Sequence, residues 1–262
     1  MTLFAWPKQA AFGRVVPKSK IYEHATVSTA LKERFVQQVE QINWAYKLAP
    51  ETVNLPATPA VAEIQVFRLN LKGASLDQDV LKAIDRAIPF PLFFELVQGG
   101  RAKLVAAYKR PAQNPGSTAD ISHWVLSSYF ETDWQLESSP RPPLPVALDM
   151  AGLYEQLLSP LVLGKVAIAT DDASARAPKI CDSAVAVYTA ATPTEQPERL
   201  TLEQRIELAE AIVSQQKHVE RIRTRLGREK QFNKRVALNA ELRDAKQELQ
   251  RLIQQQAATQ DY

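Results

Sequence analysis

Residues 206–253 read IELAEAIVSQQKHVERIRTRLGREKQFNKRVALNAELRDAKQELQRLI, with no Pro and a single Gly, Gly227. Leu238, Leu242, Ala245, Leu249 and Leu252 recur in steps of 4, 3, 4 and 3. That spacing lays one apolar seam along a helix, as in a coiled coil. Upstream, Leu202, Ile206, Ala209, Val213, Val219, Ile222 and Leu226 form a second, less regular seam. Two arrangements bury these seams. One continuous helix over 201–256 extends roughly 84 Å and needs a second copy of itself. Alternatively the chain folds back between Gly227 and Asn233, with Phe232 closing the end of the seam. The seams share no single heptad phase across 226–238, so the expectation is an antiparallel coiled-coil helical hairpin. Gly227 alone does not force the break, since Gly in a helix costs only about 1 kcal/mol relative to Ala.

Between the seams lies a cationic run. Arg221, Arg223, Arg225, Arg228, Lys230, Lys234 and Arg235 stand against Glu220 and Glu229, a local charge of +5 in a chain whose net charge is +3. The rest is therefore slightly acidic, and the uneven distribution says more than the total. Arg and Lys on a stiff arm suit contact with phosphates without reading bases. The ordinary alternatives are a solvated tip or a protein-docking arm. Phe232 is the one aromatic residue in the run.

The chain has 262 residues, enough for one sizeable domain plus an extension. A hydrophobic content of 45% is that of a folded protein. Cys181 is the sole cysteine, which excludes an internal disulfide and fits a reducing compartment. No apolar run approaches the ~20 residues of a membrane span, and the first residues lack the apolar core of a signal peptide. The expectation is a cytoplasmic protein that does not enter a membrane.

Upstream of the tail the pattern alternates between helix and strand. Residues 1–25 read as an irregular or extended arm anchored by Phe4, Trp6 and Phe12. A helix starts near Ser28 or Thr29, with Leu31, Phe35, Val36, Val39 and Ile42 on one face, and a short strand follows through Leu48. Residues 63–72, EIQVFRLNLK, read as a strand buried on both faces or bulged. Ser75 and Gln78 form a capping-box signal for the next helix. Residues 91–97 and 102–110 read as strands joined at Gly99-Gly100, a two-residue hairpin turn. A further strand covers 123–130, and a helix covers 148–161. The fold class is therefore α+β: a mixed or mostly antiparallel sheet with covering helices. The domains expected are a core over 1–164, a linker over 165–200, the hairpin with its basic tip over 201–256 and a disordered tail over 257–262.

Motifs for catalysis are few. There is no G-x-x-x-x-G-K-[ST], G-x-G-x-x-G or G-x-S-x-G. His24, His123 and His218 lack metal-ligand spacing. No cofactor and no metal site is expected. One constellation supports a secondary reading as a metal-dependent nuclease: Glu63, Glu95 and Lys103 on neighbouring strands, where carboxylates and a lysine hold a divalent ion and orient water. The element order resembles a restriction-endonuclease core. It departs in having no Pro-Asp pair before Glu63 and in carrying Gln65 where that family has a lysine. A further set of cations, Lys18, Lys20, Lys47, Arg68, Lys72, Lys103, Lys109 and Arg110, forms a patch if their strands share a face.

Seven segments carry a family resemblance: FGRVVPKSKIYEHA, WAYKLAPETVNLPAT, EIQVFRLNLK, AIPFPLFFEL, AAYKR, YFETDW and EKQFNKRVALNAELR. Together they resemble the bacterial domain-of-unknown-function family 4391, over residues 3–163 and 203–252. That family supplies no activity and no catalytic residues. The resemblance implies companionship with DNA methyltransferases and helicases in defence-like gene clusters. The function expected is a non-catalytic accessory or scaffold protein of a bacterial DNA-processing or anti-phage, restriction-like system. It docks a helicase or methyltransferase and contacts nucleic-acid phosphates through the tip. The metal-dependent nuclease subunit and a structural coiled-coil dimer are the alternatives.

Overall fold

The computed structural model describes residues 3–111, 124–170 and 200–257. They divide into two units, residues 1–165 and 166–262. The first is an α+β unit on a mostly antiparallel sheet. Its strands are β1 (Ala11–Val15), β2 (Val39–Leu48), β3 (Ile64–Leu71), β4 (Leu92–Gln98), β5 (Arg101–Pro111), β6 (Trp124–Glu131) and β7 (Gln135–Leu136). They lie in the order β1-β2-β3-β4-β5-β6, and β7 pairs with β5. Among the paired strands of the described residues, β3 and β4 run parallel and the other pairs antiparallel. A parallel pair needs a crossover, which α4 (Gln78–Ala87) supplies.

Helices α1 (Lys18–His24), α2 (Thr29–Gln38) and α4 contribute to one core, with Ile21, Phe35, Val80 and Ile84 packed among Phe67, Leu69, Phe94, Leu96 and Val105. The alternate residues of β4 serve the other face, where the Phe93 ring lies 6.3 Å from Trp6 and 6.0 Å from Tyr154 on α5 (Met150–Thr170). A strand flanked on both faces reads as a continuous apolar run. That explains both LFFEL in β4 and the out-of-phase apolar residues of β3.

Several boundaries differ from those the sequence suggests. Ser28 does cap α2, its Oγ accepting from Leu31 N at 3.3 Å. That helix ends at Gln38, however, and β2 begins at once and runs for ten residues. Val39 and Ile42 continue the helical spacing of Phe35, but they are core residues of a strand. Inside 1–25, which the sequence suggests is irregular or extended, α1 forms after Pro17. Asp77, not Ser75, caps α4 by accepting from Asp79 N. Between β2 and β3 lies α3 (Pro50–Val53). Helix α5 continues to Thr170, past the expected start of the linker. The rest of that linker, over 171–199, and the tail over 258–262 lie outside the described residues, as do His123 and Cys181.

Gly99 and Gly100 turn β4 into β5 with φ of 56° and 74°. Two consecutive positive φ values match a hairpin turn whose twist suits the strands. Gly100→Ala is expected to cost about 1–2 kcal/mol for a left-handed alanine. Nothing crowds the new Cβ, so backbone strain is the only source. Urea denaturation reads this directly, and a loss near zero contradicts the turn assignment.

The second unit contains two long helices, α6 (Leu202–Arg228) and α7 (Phe232–Ala257). Thr201 and Gln204 form a reciprocal capping box at the start of α6. Val219, Ile222, Leu238 and Ala245 make a buried cluster, with Leu226, Leu242 and Leu249 against it. Gln215 Nε2 donates to Ala245 O at 3.0 Å, and Arg225 lies 3.8 Å from Glu241. Gly227 sits inside α6, consistent with its small helical cost.

Candidate nucleic-acid interface

Local hydrogen bonds build the junction between α6 and α7. Glu229 N donates to Arg225 O at 3.0 Å as α6 ends. The Glu229 carboxylate then accepts from Lys230 N and Gln231 N, both at 2.9 Å. These backbone donors, Gln231 first, hold its carboxyl below the usual range. One of the two acids in the cationic run is thereby committed to the chain's own backbone.

All seven cations named from the sequence, Arg221, Arg223, Arg225, Arg228, Lys230, Lys234 and Arg235, are exposed. Arg223 pairs with Glu220 at 3.2 Å and Arg225 with Glu241 at 3.8 Å. Arg221 Nε donates to Lys217 O. Among the described residues, Arg228, Lys230 and Arg235 have no carboxylate within ion-pair distance. Surface pairs of this kind add little stability, so these charges are not there to hold the helices together. Phe232 does not close the seam as expected; it is 77% exposed, and Val236 is 54% exposed. Both sit roughly a third of a turn around α7 from the line through Leu238, Leu242, Ala245 and Leu249.

The three residues of the nuclease reading do not converge. Arg68 and Glu95 are register partners across β3 and β4, so they share a face. Glu63 belongs to the opposite alternation, and its side chain accepts from Gln65 and lies 3.3 Å from Lys47. Lys103 is the register partner of Leu96, not of Glu95, and pairs with Glu131 at 2.7 Å. Leu96 in turn partners Leu69. Glu63 lies six residues before Leu69, so it is roughly 20 Å along the strand from the level of Lys103. No group of three His, Cys, Asp or Glu side chains among the described residues is arranged to hold a metal ion.

Glu95 does something else. It is 1% exposed. Its Oε1 accepts from Trp6 Nε1 at 2.6 Å and from Arg141 at 2.8 Å, while Oε2 lies 4.0 Å from Arg68. One buried carboxylate thus ties to the sheet both the N-terminal arm and residues 140–145, PRPPLP, part of the connector between β7 and α5. The connector also bridges Ala5 through Pro143.

The cationic patch proposed for the sheet does not include Lys109. Its side chain is fully buried, 3.6 Å from Asp85. Its Nζ donates to the carbonyls of Asp85 and Ile88 at the end of α4. Tyr129 donates to the Asp85 carboxylate, and Lys109 N donates to Tyr154 Oη at 2.9 Å. Burial pushes the Asp85 carboxyl up to about 6, although Lys109 and Tyr129 pull it down. Burial likewise lowers Lys109 and raises Tyr129. Perturbed groups often mark active sites, but this ammonium is consumed by the carbonyls of a helix end. Its role is to satisfy and neutralise that end. A sequence signal for the cluster exists: Asp85 continues the apolar line of Leu81 and Ile88, and Lys109 continues the inward alternation of Val105 and Ala107.

A protein-family model described as a domain of unknown function (DUF4391) matches residues 4–249. The match takes in the whole sheet, α6, the junction and most of α7. No curated protein and no solved structure matches the chain.

Proposed function

The chain belongs to this domain-of-unknown-function family, and from that premise we propose that it is a non-catalytic accessory protein of a bacterial DNA-processing or restriction-like defence system. In this reading the α+β unit docks a helicase or DNA methyltransferase. Helices α6 and α7 work as an antiparallel coiled-coil hairpin that presents its basic tip to nucleic-acid phosphates. One observation carries the reading: seven exposed cations crowd the junction, and Arg228, Lys230 and Arg235 have no carboxylate partner among the described residues. Unneutralised charge on a narrow tip is poor for stability and well suited to an anionic polymer. The helix seam is independent of these residues, so the tip is free to vary in charge without loss of the arm.

The test is binding across a salt series. Affinity is expected to fall with salt, by about 0.9 in log K per log salt for each duplex phosphate contacted. Replacing Arg223, Arg225, Arg228 and Lys230 with Ala should weaken binding and make that slope shallower by up to about 3.6. Absence of binding, or an unchanged slope in the variant, removes the phosphate role.

A further inference from the structure

We infer that the tip engages single-stranded rather than duplex nucleic acid, with Phe232 stacking on an unpaired base; this rests on the phosphate-binding reading above. The first residue of α7 is a phenylalanine 77% exposed, and Val236 one turn later is 54% exposed. Neither joins the buried cluster of Val219, Ile222, Leu238 and Ala245. Packing of the two helices therefore gives no reason for an aromatic ring here, and leaving it in water forgoes its burial energy.

Helical spacing puts Arg235, Val236, Asn239 and Arg243 on the side of α7 that carries Phe232. Arg235, Asn239 and Arg243 are exposed. The result is one ring set in a short row of cations and an amide. A duplex offers phosphates but keeps its base faces stacked within. An unpaired strand offers both phosphates and free π-faces, and an aromatic platform in a basic setting is how sequence-tolerant single-strand binders hold it. Charge and shape also favour this over an anionic membrane. A membrane-lying helix needs a long apolar stripe, whereas here the apolar surface is confined to Phe232 and Val236.

The full chain is titrated against labelled oligothymidine, oligouridine and a DNA duplex of equal length, by fluorescence anisotropy at low salt. Vesicles containing phosphatidylserine are tested by co-sedimentation. At least one single strand is expected to bind more tightly than the duplex, the two oligonucleotides separating DNA from RNA as its source. Phe232→Ala should weaken that binding about tenfold and leave the duplex unaffected, and Phe232→Trp should restore it. Because Phe232 is exposed, helicity by circular dichroism should not change.

If Phe232→Ala leaves single-strand affinity unchanged while the four-alanine variant lowers it, the stacking inference is wrong and the phosphate reading stands. If no nucleic acid binds at all, both fall. If vesicles bind in a Phe232-dependent way and oligonucleotides do not, the inference is overturned in favour of a lipid surface.

Discussion

Replacing Lys109 with Met is expected to lower the stability of the α+β unit by about 3–5 kcal/mol, the usual consequence of removing one partner of a buried ion pair. Three groups lose the ammonium together: the Asp85 carboxylate and the carbonyls of Asp85 and Ile88. The two carbonyls lose a hydrogen-bond donor, and the buried carboxylate keeps Tyr129 but loses its counter-charge. Asp85→Asn combined with Lys109→Met should cost less than the sum of the single changes, because residues sharing one network couple by about 0.5–3 kcal/mol. Urea denaturation of the four proteins measures the cycle. A Lys109→Met protein within about 0.5 kcal/mol of the parent would place the ammonium outside the energetics of the core.

The same cluster predicts a pH dependence of unusual sign. The Asp85 carboxyl titrates at about 6 in the folded protein against an ordinary 3.8. Its folded form holds the proton more tightly than the unfolded chain does. The stability it contributes is therefore fully present below 3.8 and is lost as pH rises through about 6. Glu23, Glu51, Asp79, Glu229 and Glu248 are all held below their usual range and act in the opposite direction. The comparison with Asp85→Asn isolates the effect. Relative to that variant, the parent should lose stability between pH 4 and 6, and a parallel pair of profiles would contradict the burial-driven shift.

Glu95→Ala is the second large effect, expected at roughly 3 kcal/mol from the unpaired Trp6 indole and the partly buried Arg141. Arg68 keeps Glu137, so the loss should fall on the N-terminal arm and the connector. Glu95→Gln should be milder, since an amide oxygen still accepts from Trp6. The readout that separates this from a general loss of packing is local. Trp6 should become accessible to quencher and residues 3–10 to protease at denaturant concentrations where the sheet is intact. Unchanged Trp6 protection in Glu95→Ala would show that the carboxylate does not hold the arm.

Much of the architecture was legible because periodicity survives in the sequence. The glycine pair announced the β4–β5 turn, since consecutive positive φ values are cheap only for Gly. The Pro-free stretch after residue 201 announced two long C-terminal helices. Boundaries were harder to see where the chemistry is ambiguous. Phe35, Val39 and Ile42 satisfy a helical repeat, yet Val39 opens a strand because pairing with Leu71 and the core outweigh local spacing. The seven cations were visible by count alone. That three of them lack a carboxylate partner was not, because Glu220 pairs with Arg223 along α6 while Glu241 is claimed by Arg225 only once α6 meets α7.

The sequence by itself determined the α+β class, the hairpin turn, the helical tail and the place of the positive charge, all of which follow from spacing and composition along the chain. Only the tertiary structure decided what the charged residues of the sheet do. Glu63, Glu95 and Lys103 look like one constellation in linear order. Strand alternation separates Glu63 from Glu95, and register carries Lys103 far along the sheet from Glu63. Lys109 reads as part of a surface patch and Glu95 as a metal ligand, and both are buried anchors. The physical reason is that strand register and face are relations between segments distant in sequence, and no local period encodes them. The ring of Phe232 was placed in the same way: its residue type suggested burial, and the geometry of α7 turned it outward among the cations.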